Sequence, residues 1–428
     1  MKITALATAI GFAVLTLGSL AYAAELDVTI EKASPINPYQ IALVPFAGDN
    51  GMTTVIGSNL NFTELKTTSQ NLPQRPLSVA DFGANRAIWQ HAGFSYVVVG
   101  ATQTVGNGKA QINYEVIEVA TGRVVGGRQT QMTDANANGY RFAANVISDK
   151  IYELITGTPG DFSGRIAFVE ETGDPRNKTS TLKVMDADGQ NVRVLHQVQG
   201  SIFSPTWSPD GKRVAYSVQL PKGLPVIYIR EVDVGGQQLV TVTPFKGNNL
   251  GASFSPDGAN LLFSGSHEDN DPAIYQLHLA SRNVKKLTNM AGAENSPSYA
   301  ADGRSFVFTA DNGSRTPQLY RYDFNTGQVR RIAGAAVNPR QSSDGKIAYV
   351  SGSSLVVMNA AGGTQNIGVT GMHESATFSP NNTRIAYSSY QGGQGVLTIR
   401  SLTTGQSFSK TTNGKVREPA WSPARSKP

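Results

Sequence analysis

Trp207-Ser208-Pro209-Asp210-Gly211 returns as Phe254-Ser255-Pro256-Asp257-Gly258 and Tyr299-Ala300-Ala301-Asp302-Gly303. It returns in weaker form as Gln341-Ser342-Ser343-Asp344-Gly345, Phe378-Ser379-Pro380-Asn381-Asn382 and Trp421-Ser422-Pro423-Ala424-Arg425. The intervals between first positions are 47, 45, 42, 37 and 43 residues. Periods of roughly 40 to 50 residues belong to propeller blades, four-stranded sheets that bury their faces only against neighbouring blades. Six copies predict six blades. The Asp-Gly pairs have an ordinary turn role: Asp bonds its own backbone and Gly accepts positive φ.

An apolar pair with period two follows each of the first five motifs: Val214/Tyr216, Leu261/Phe263, Phe306/Phe308, Ile347/Tyr349 and Ile385/Tyr387. These read as the innermost strand of each blade. Further apolar stretches (Val226 to Ile229, Ile274 to Leu277, Leu319 to Tyr322, Leu355 to Met358) and turns at Gly235-Gly236, Thr326-Gly327 and Gly362-Gly363 complete four strands. The sixth motif has no such strand behind it, whereas Ile166/Phe168 supplies the pattern ahead of the first motif. The two ends of the repeat region are therefore expected to meet in one blade, sealing the ring and removing open strand edges. The fold class expected is an α/β N-terminal domain, residues 24–158, followed by an all-β six-bladed β-propeller, residues 159–428.

The N-terminal part shows no repeat. Gln40 to Phe46 and Tyr96 to Ala101 read as buried strands, Ile112/Tyr114/Val116 with Val124/Val125 as a hairpin. Phe142, Val146, Ile147, Ile151, Leu154 and Ile155 fall at helical spacing, and Gly157 and Pro159 stop that helix. Residues 1–23 read as an export signal: Lys2, a short apolar run from Ile10 to Leu20, and Ala21-Tyr22-Ala23, with cleavage between Ala23 and Ala24. The run is shorter than the roughly 20 residues of a membrane span, so a soluble, periplasmic mature protein is expected. With no cysteine in the chain, neither a lipid anchor at the cleavage point nor a disulfide framework is expected. Ahead of the first strand Leu26, Val28 and Ile30 alternate with polar residues, a pattern fit to add a strand to a sheet edge.

Propellers also occur joined to hydrolase domains, whose catalytic signatures are legible in sequence. No G-x-S-x-G elbow, phosphate loop or dinucleotide fingerprint occurs. His91, His196, His267, His278 and His373 are far apart and read as surface or loop histidines. Asp186-Ala187-Asp188-Gly189 and Glu268-Asp269-Asn270-Asp271 lack the closing glutamate of a calcium loop and read as solvated turns. The net charge is +6, yet only 16% of residues are charged and no Lys/Arg cluster appears, which argues against a nucleic-acid partner. No catalytic residue, metal ligand or cofactor is expected.

Ile41-Ala42-Leu43-Val44-Pro45-Phe46, Tyr96-Val97-Val98-Val99-Gly100, Val119-Ala120-Thr121-Gly122-Arg123-Val124, Ile151-Tyr152-Glu153-Leu154-Ile155-Thr156-Gly157 and Gly164-Arg165-Ile166-Ala167-Phe168-Val169, followed by the repeats, resemble the TolB family of the Tol-Pal envelope system. The resemblance covers nearly all of the mature chain; its motif is degraded at Gln341 and Asn381-Asn382. It implies a non-enzymatic periplasmic adaptor that binds the peptidoglycan-associated lipoprotein Pal at one mouth of the propeller channel and TolA through the mature N-terminal segment. By competing with peptidoglycan for Pal, it would couple the inner-membrane motor to outer-membrane constriction during division and to envelope integrity. The loops ahead of the motifs would line the Pal mouth with Phe203, Asn248, Asn249, Glu294, Asn295, His373, Glu374, Arg417 and Glu418. The TolA segment would be Glu25, Leu26, Asp27, Val28, Thr29 and Ile30. Bacteriocins are further candidate partners, and the isolated protein is expected to be a monomer without membrane insertion. The competing reading is a ligand- or glycan-binding periplasmic propeller, which would want aromatics around the mouth where these loops offer mainly Asn, Glu and Arg.

Overall fold

The computed structural model describes residues 39–75, 78–174, 176–234, 240–243, 245–268, 271–367, 372–391 and 393–425. They belong to one compact unit, Pro38–Pro428. The first part contains β1 (Gln40–Leu43), α1 (Met52–Asn61), β2 (Lys66–Thr68), α2 (Val79–Ala84), α3 (Arg86–His91), β3 (Tyr96–Gly106), β4 (Lys109–Glu118), β5 (Val124–Asp134) and α4 (Ala137–Thr156). The strands form one sheet in the order β2-β1-β3-β4-β5, with β1 parallel to both neighbours and β3 to β5 an antiparallel meander.

The unbroken apolar run of β1 follows from burial on both faces. Ile41 and Leu43 pack with Met52 and Ile56 of α1 and Ile147 and Ile151 of α4. Ala42 and Val44 pack with Phe82 of α2 and Trp89 of α3 on the other side. The Asn136 side chain caps α4 by accepting from Gly139 N, and Gly157 ends it at φ 75°, where an L side chain would be strained.

Six four-stranded sheets follow, as the repeat predicts. The last of them joins Lys415–Trp421 to Arg165–Thr172, Thr179–Asp186 and Arg193–Gln199, so the C-terminal strand closes the ring against the first propeller strands, with Trp421 opposite Ile166. The expected order within a blade needs correction. The strands after the motifs, such as Arg213–Gln219, lie second. The innermost strands are those that end at the first residue of each motif: Ser201–Trp207, Asn249–Phe254, Glu294–Tyr299, Val337–Gln341, Met372–Phe378 and Lys415–Trp421. Each of these touches its counterparts in both neighbouring blades, closing a ring around the channel.

The motif earns its repetition in two ways. Within a blade, Ser208 Oγ bonds Asp210 Oδ1 at 2.5 Å and accepts from Arg213 N, while Asp210 accepts from Lys212 N. Between blades, the proline of one motif packs on the glycine of the next: a Cβ at Gly258 would lie 3.5 Å from Pro209 Cδ, and one at Gly303 would lie 3.7 Å from Pro256 Cδ. The degraded copies substitute equivalent bonds. Gln341 donates from Nε2 to Ser298 O where other blades place an aromatic. Asn381 takes the aspartate's acceptor role toward Ser379 and Thr383, and Asn382 stands at φ 62° in the glycine position.

The two parts meet along the linker at 157–164. Asp149 of α4 accepts from Phe162 N at 2.5 Å and Ser163 N at 3.2 Å. From the propeller, Arg384 pairs with Asp161 and lies over the Phe162 and Trp421 rings, and Asn381 Nδ2 donates to Pro159 O. The Asp186 to Gly189 turn is part of the same junction, a correction to its reading as a solvated turn. Asp186 is buried and accepts from Arg425, and Asp188 pairs with Arg141 of α4 at 2.7 Å. His196 is half-buried on the outermost strand Arg193–Gln199: its Nδ1 lies 3.1 Å from the Tyr216 hydroxyl, and burial lowers its pKa.

Candidate partner-binding mouth

The innermost strands begin at the channel mouth opposite the motifs. Each carries a register shift midway, and at five of these bulges a residue sits at positive φ: Ser204, Gly251, Ser296, Asn338 and Glu418. Four of the five precede proline, which has no N–H for the ladder. The bulges shift the register by interrupting the ladder locally, and pairing resumes on the mouth side, as with Phe203 opposite Ser217 and Asn295 opposite Thr309.

Phe203 is the centre of the most developed cluster there. Arg417 Cζ lies 5.7 Å and Lys178 Nζ 6.0 Å from its ring centroid. Both cations also bond Glu171 Oε1, at 3.1 and 3.3 Å. Burial alone would raise the Glu171 carboxyl, but the adjacent Arg417 and Lys178 cations outweigh it and hold its pKa below the ordinary value. Glu418 accepts the Ser204 backbone N–H across the junction between the closing blade and the next. The cluster presents one aromatic face and a paired set of charges that a partner with complementary groups can engage.

The other expected mouth residues divide. Asn249 is fully buried: its Nδ2 donates to the carbonyls of Pro225, Phe245 and Gly247 at 3.1 to 3.2 Å. Glu294 is also fully buried, with Oε1 accepting from Met290 N at 2.8 Å, and burial raises its pKa. As partner contacts these two are corrected to loop anchors, because neither side chain reaches solvent. Asn295 is half-buried and accepts from Ser264 Oγ at 3.2 Å; the Asn248 backbone N–H donates to Ser266 Oγ at 2.9 Å. His373 and Glu374 lie on the innermost strand Met372–Phe378, His373 opposite Ser389; their side chains are outside the described residues. Ala23, Ala24 and Glu25 to Ile30 also lie outside the described residues, as do Gly235-Gly236.

Sequence reasoning missed Lys178 and Glu171, and it missed the loop between the second and third strands of the first blade. That loop displays Leu220 and Leu224 at 53% and 57% exposure on the same rim. The signal was present in Leu220-Pro221-Lys222-Gly223-Leu224-Pro225, two leucines within a Pro/Gly turn and outside any strand pattern.

The fold is that of a closed six-bladed propeller joined to an α/β module, with charged and aromatic side chains at one mouth. Residues 152–425 match the family described as the TolB beta propeller domain. The chain is 37% identical over 429 residues to the Tol-Pal system protein TolB of Acinetobacter baylyi, covering 98% of each. It is 30% identical over 424 residues to that of Bordetella parapertussis, covering 94% of this chain and 91% of the relative. The crystal structure of TolB from Acinetobacter baumannii superposes with a TM-score of 0.77 at 34% identity, over 90% of this chain and 97% of that one. The chain belongs to the TolB family of Tol-Pal system proteins. No helix among the described residues is long and apolar enough to cross a membrane.

Proposed function

We propose that this protein is a non-enzymatic periplasmic adaptor of the Tol-Pal system. Residues 1–23 are its export signal, 24–158 its α/β domain and 159–428 its propeller domain. The propeller mouth binds the peptidoglycan-associated lipoprotein Pal, the segment Glu25 to Ile30 binds TolA, and the pair of contacts serves envelope constriction and integrity. The observation that supports this reading is the Phe203 cluster, a half-buried ring with Arg417 and Lys178 beside it at the mouth of a closed scaffold. Rigid scaffolds commonly carry binding on such loops.

The test is calorimetric titration of the 24–428 protein with the soluble domain of Pal. Phe203→Ala is expected to weaken binding by about 2 kcal/mol, roughly 30-fold, as for a central contact, with the melting temperature unchanged. No complex at roughly tens of micromolar would sink the Pal assignment and turn the search to glycans and peptides. For TolA, deleting residues 24–30 is expected to abolish binding and leave the fold's melting temperature intact. A collapsed α/β domain would instead make that segment a strand of its own sheet.

A further inference from the structure

On the third blade, Arg321 of strand Gln318–Asp323 and Arg330 of strand Val329–Ala335 are direct cross-strand partners, so both side chains leave the same face of the sheet. Like charges placed directly opposite repel, and the ordinary remedy is a carboxylate between them. None pairs with either arginine among the described residues. The nearby acids are already engaged, Asp344 with Lys346, and Asp323 with the backbone N–H groups of Asn325 and Thr326. Arg321 Nε is buried with no hydrogen-bond partner.

The pair opens into a cleft of 260 Å³ between the third and fourth blades. Its other wall is made of Gly345, Ile347, Met358, Ala360 and Gly362 with Asn359, whose Oδ1 is already taken by Ala361 N and Gly363 N, so the wall brings no charged group to the arginines. Arg331 stands at the rim, its Nε donating to Ala333 O. Two forked, always-charged donors facing a shared space without an acceptor are arranged as guanidinium pairs are around a tetrahedral oxyanion.

We propose that this cleft is a phosphate-class oxyanion site, with Arg321 and Arg330 as its two ligands. It lies on the side of the propeller, apart from the channel mouth, and does not rest on the partner assignments above. The phosphate would be free or carried by a lipid headgroup; the two sources share the recognised chemistry.

The test compares the 24–428 protein with Arg321→Gln/Arg330→Gln and with Arg330→Gln alone, in phosphate-free buffer at matched ionic strength. Inorganic phosphate is expected to raise the melting temperature of the unaltered protein progressively with concentration, as a ligand of the folded state does, and to leave the double variant unmoved. Without phosphate, Arg330→Gln on its exposed strand is expected to melt no lower than the unaltered protein, because repulsion has been relieved. A melting temperature indifferent to phosphate, an equal response in the double variant, or a lower melting point for Arg330→Gln without phosphate would each overturn the site. Sedimentation with phosphatidylglycerol vesicles, absent with phosphatidylcholine and lost in the double variant, would assign the source to lipid. A phosphate response without vesicle binding would assign it to a soluble ion.

Discussion

Asp149 shows how one side chain joins the two parts of the molecule. Its carboxylate receives two linker N–H groups, yet burial, with Asp161 adding to it, outweighs those bonds and pushes its pKa up to about 7. The folded state therefore holds a proton that the unfolded chain releases near pH 4. This group's contribution to stability is complete below about pH 4 and is lost as pH rises through about 7, with a limiting slope of about 1.4 kcal/mol per pH unit. Asp149→Asn removes the titration. Thermal melts from pH 4 to 8 are expected to show the variant gaining on the unaltered protein as pH rises; a constant difference across that range would refute the shift. The helix spacing of α4 was legible from its apolar positions, but the role of Asp149 was not, since its partners lie 13 and 14 residues further on.

At the scale of elements, the mouth separates contact from support. Asn249 holds three carbonyls, one of them from the Leu220 to Pro225 loop of the preceding blade. Asn249→Ala leaves those acceptors without their donor and is expected to destabilise by about 1–3 kcal/mol. Affinity at the mouth should fall with it as the leucine loop loosens. Phe203→Ala should lower affinity without lowering the melting temperature, so paired melting and titration experiments distinguish the two roles; equal melting points would show Asn249 to be no anchor. The sequence places Asn249, Glu294 and Phe203 alike, just ahead of a motif. Burial is what separates them, and it depends on loops of the neighbouring blade.

For the molecule as a whole, ring closure is the decisive contact. Lys415–Trp421 pairs with Arg165–Thr172 across nearly the full length of the propeller sequence. Trp207 Nε1 donates to Ala420 O from the next blade, and Ser422 N and Arg165 O bond at 2.8 Å. Removing residues 415–428 would expose the innermost edge of one blade and one face of each neighbour, and unpaired edges recruit other chains. The truncated protein is expected to aggregate on gel filtration and to lose its cooperative melt. A monomer with an unchanged melting temperature would mean the ring does not need its closing strand.

The sequence by itself determined the number of blades, the turn chemistry at Asp210-Gly211 and its relatives, the stop of α4 at Gly157 and the sharing of one blade by both ends of the repeat. These rest on local periodicity and turn geometry, which act between residues a few positions apart. Only the tertiary structure decided which strand of each blade lies innermost, because alternation reveals two faces of a strand but not its rank in a sheet. Only it placed β1 between β2 and β3 in a parallel arrangement, and only it brought Lys178 and Arg417 of the closing blade to one rim with Phe203 of the next. It alone set Arg321 against Arg330 with no acid between them, because that register joins two strands across a turn and a neighbouring blade supplies the other wall.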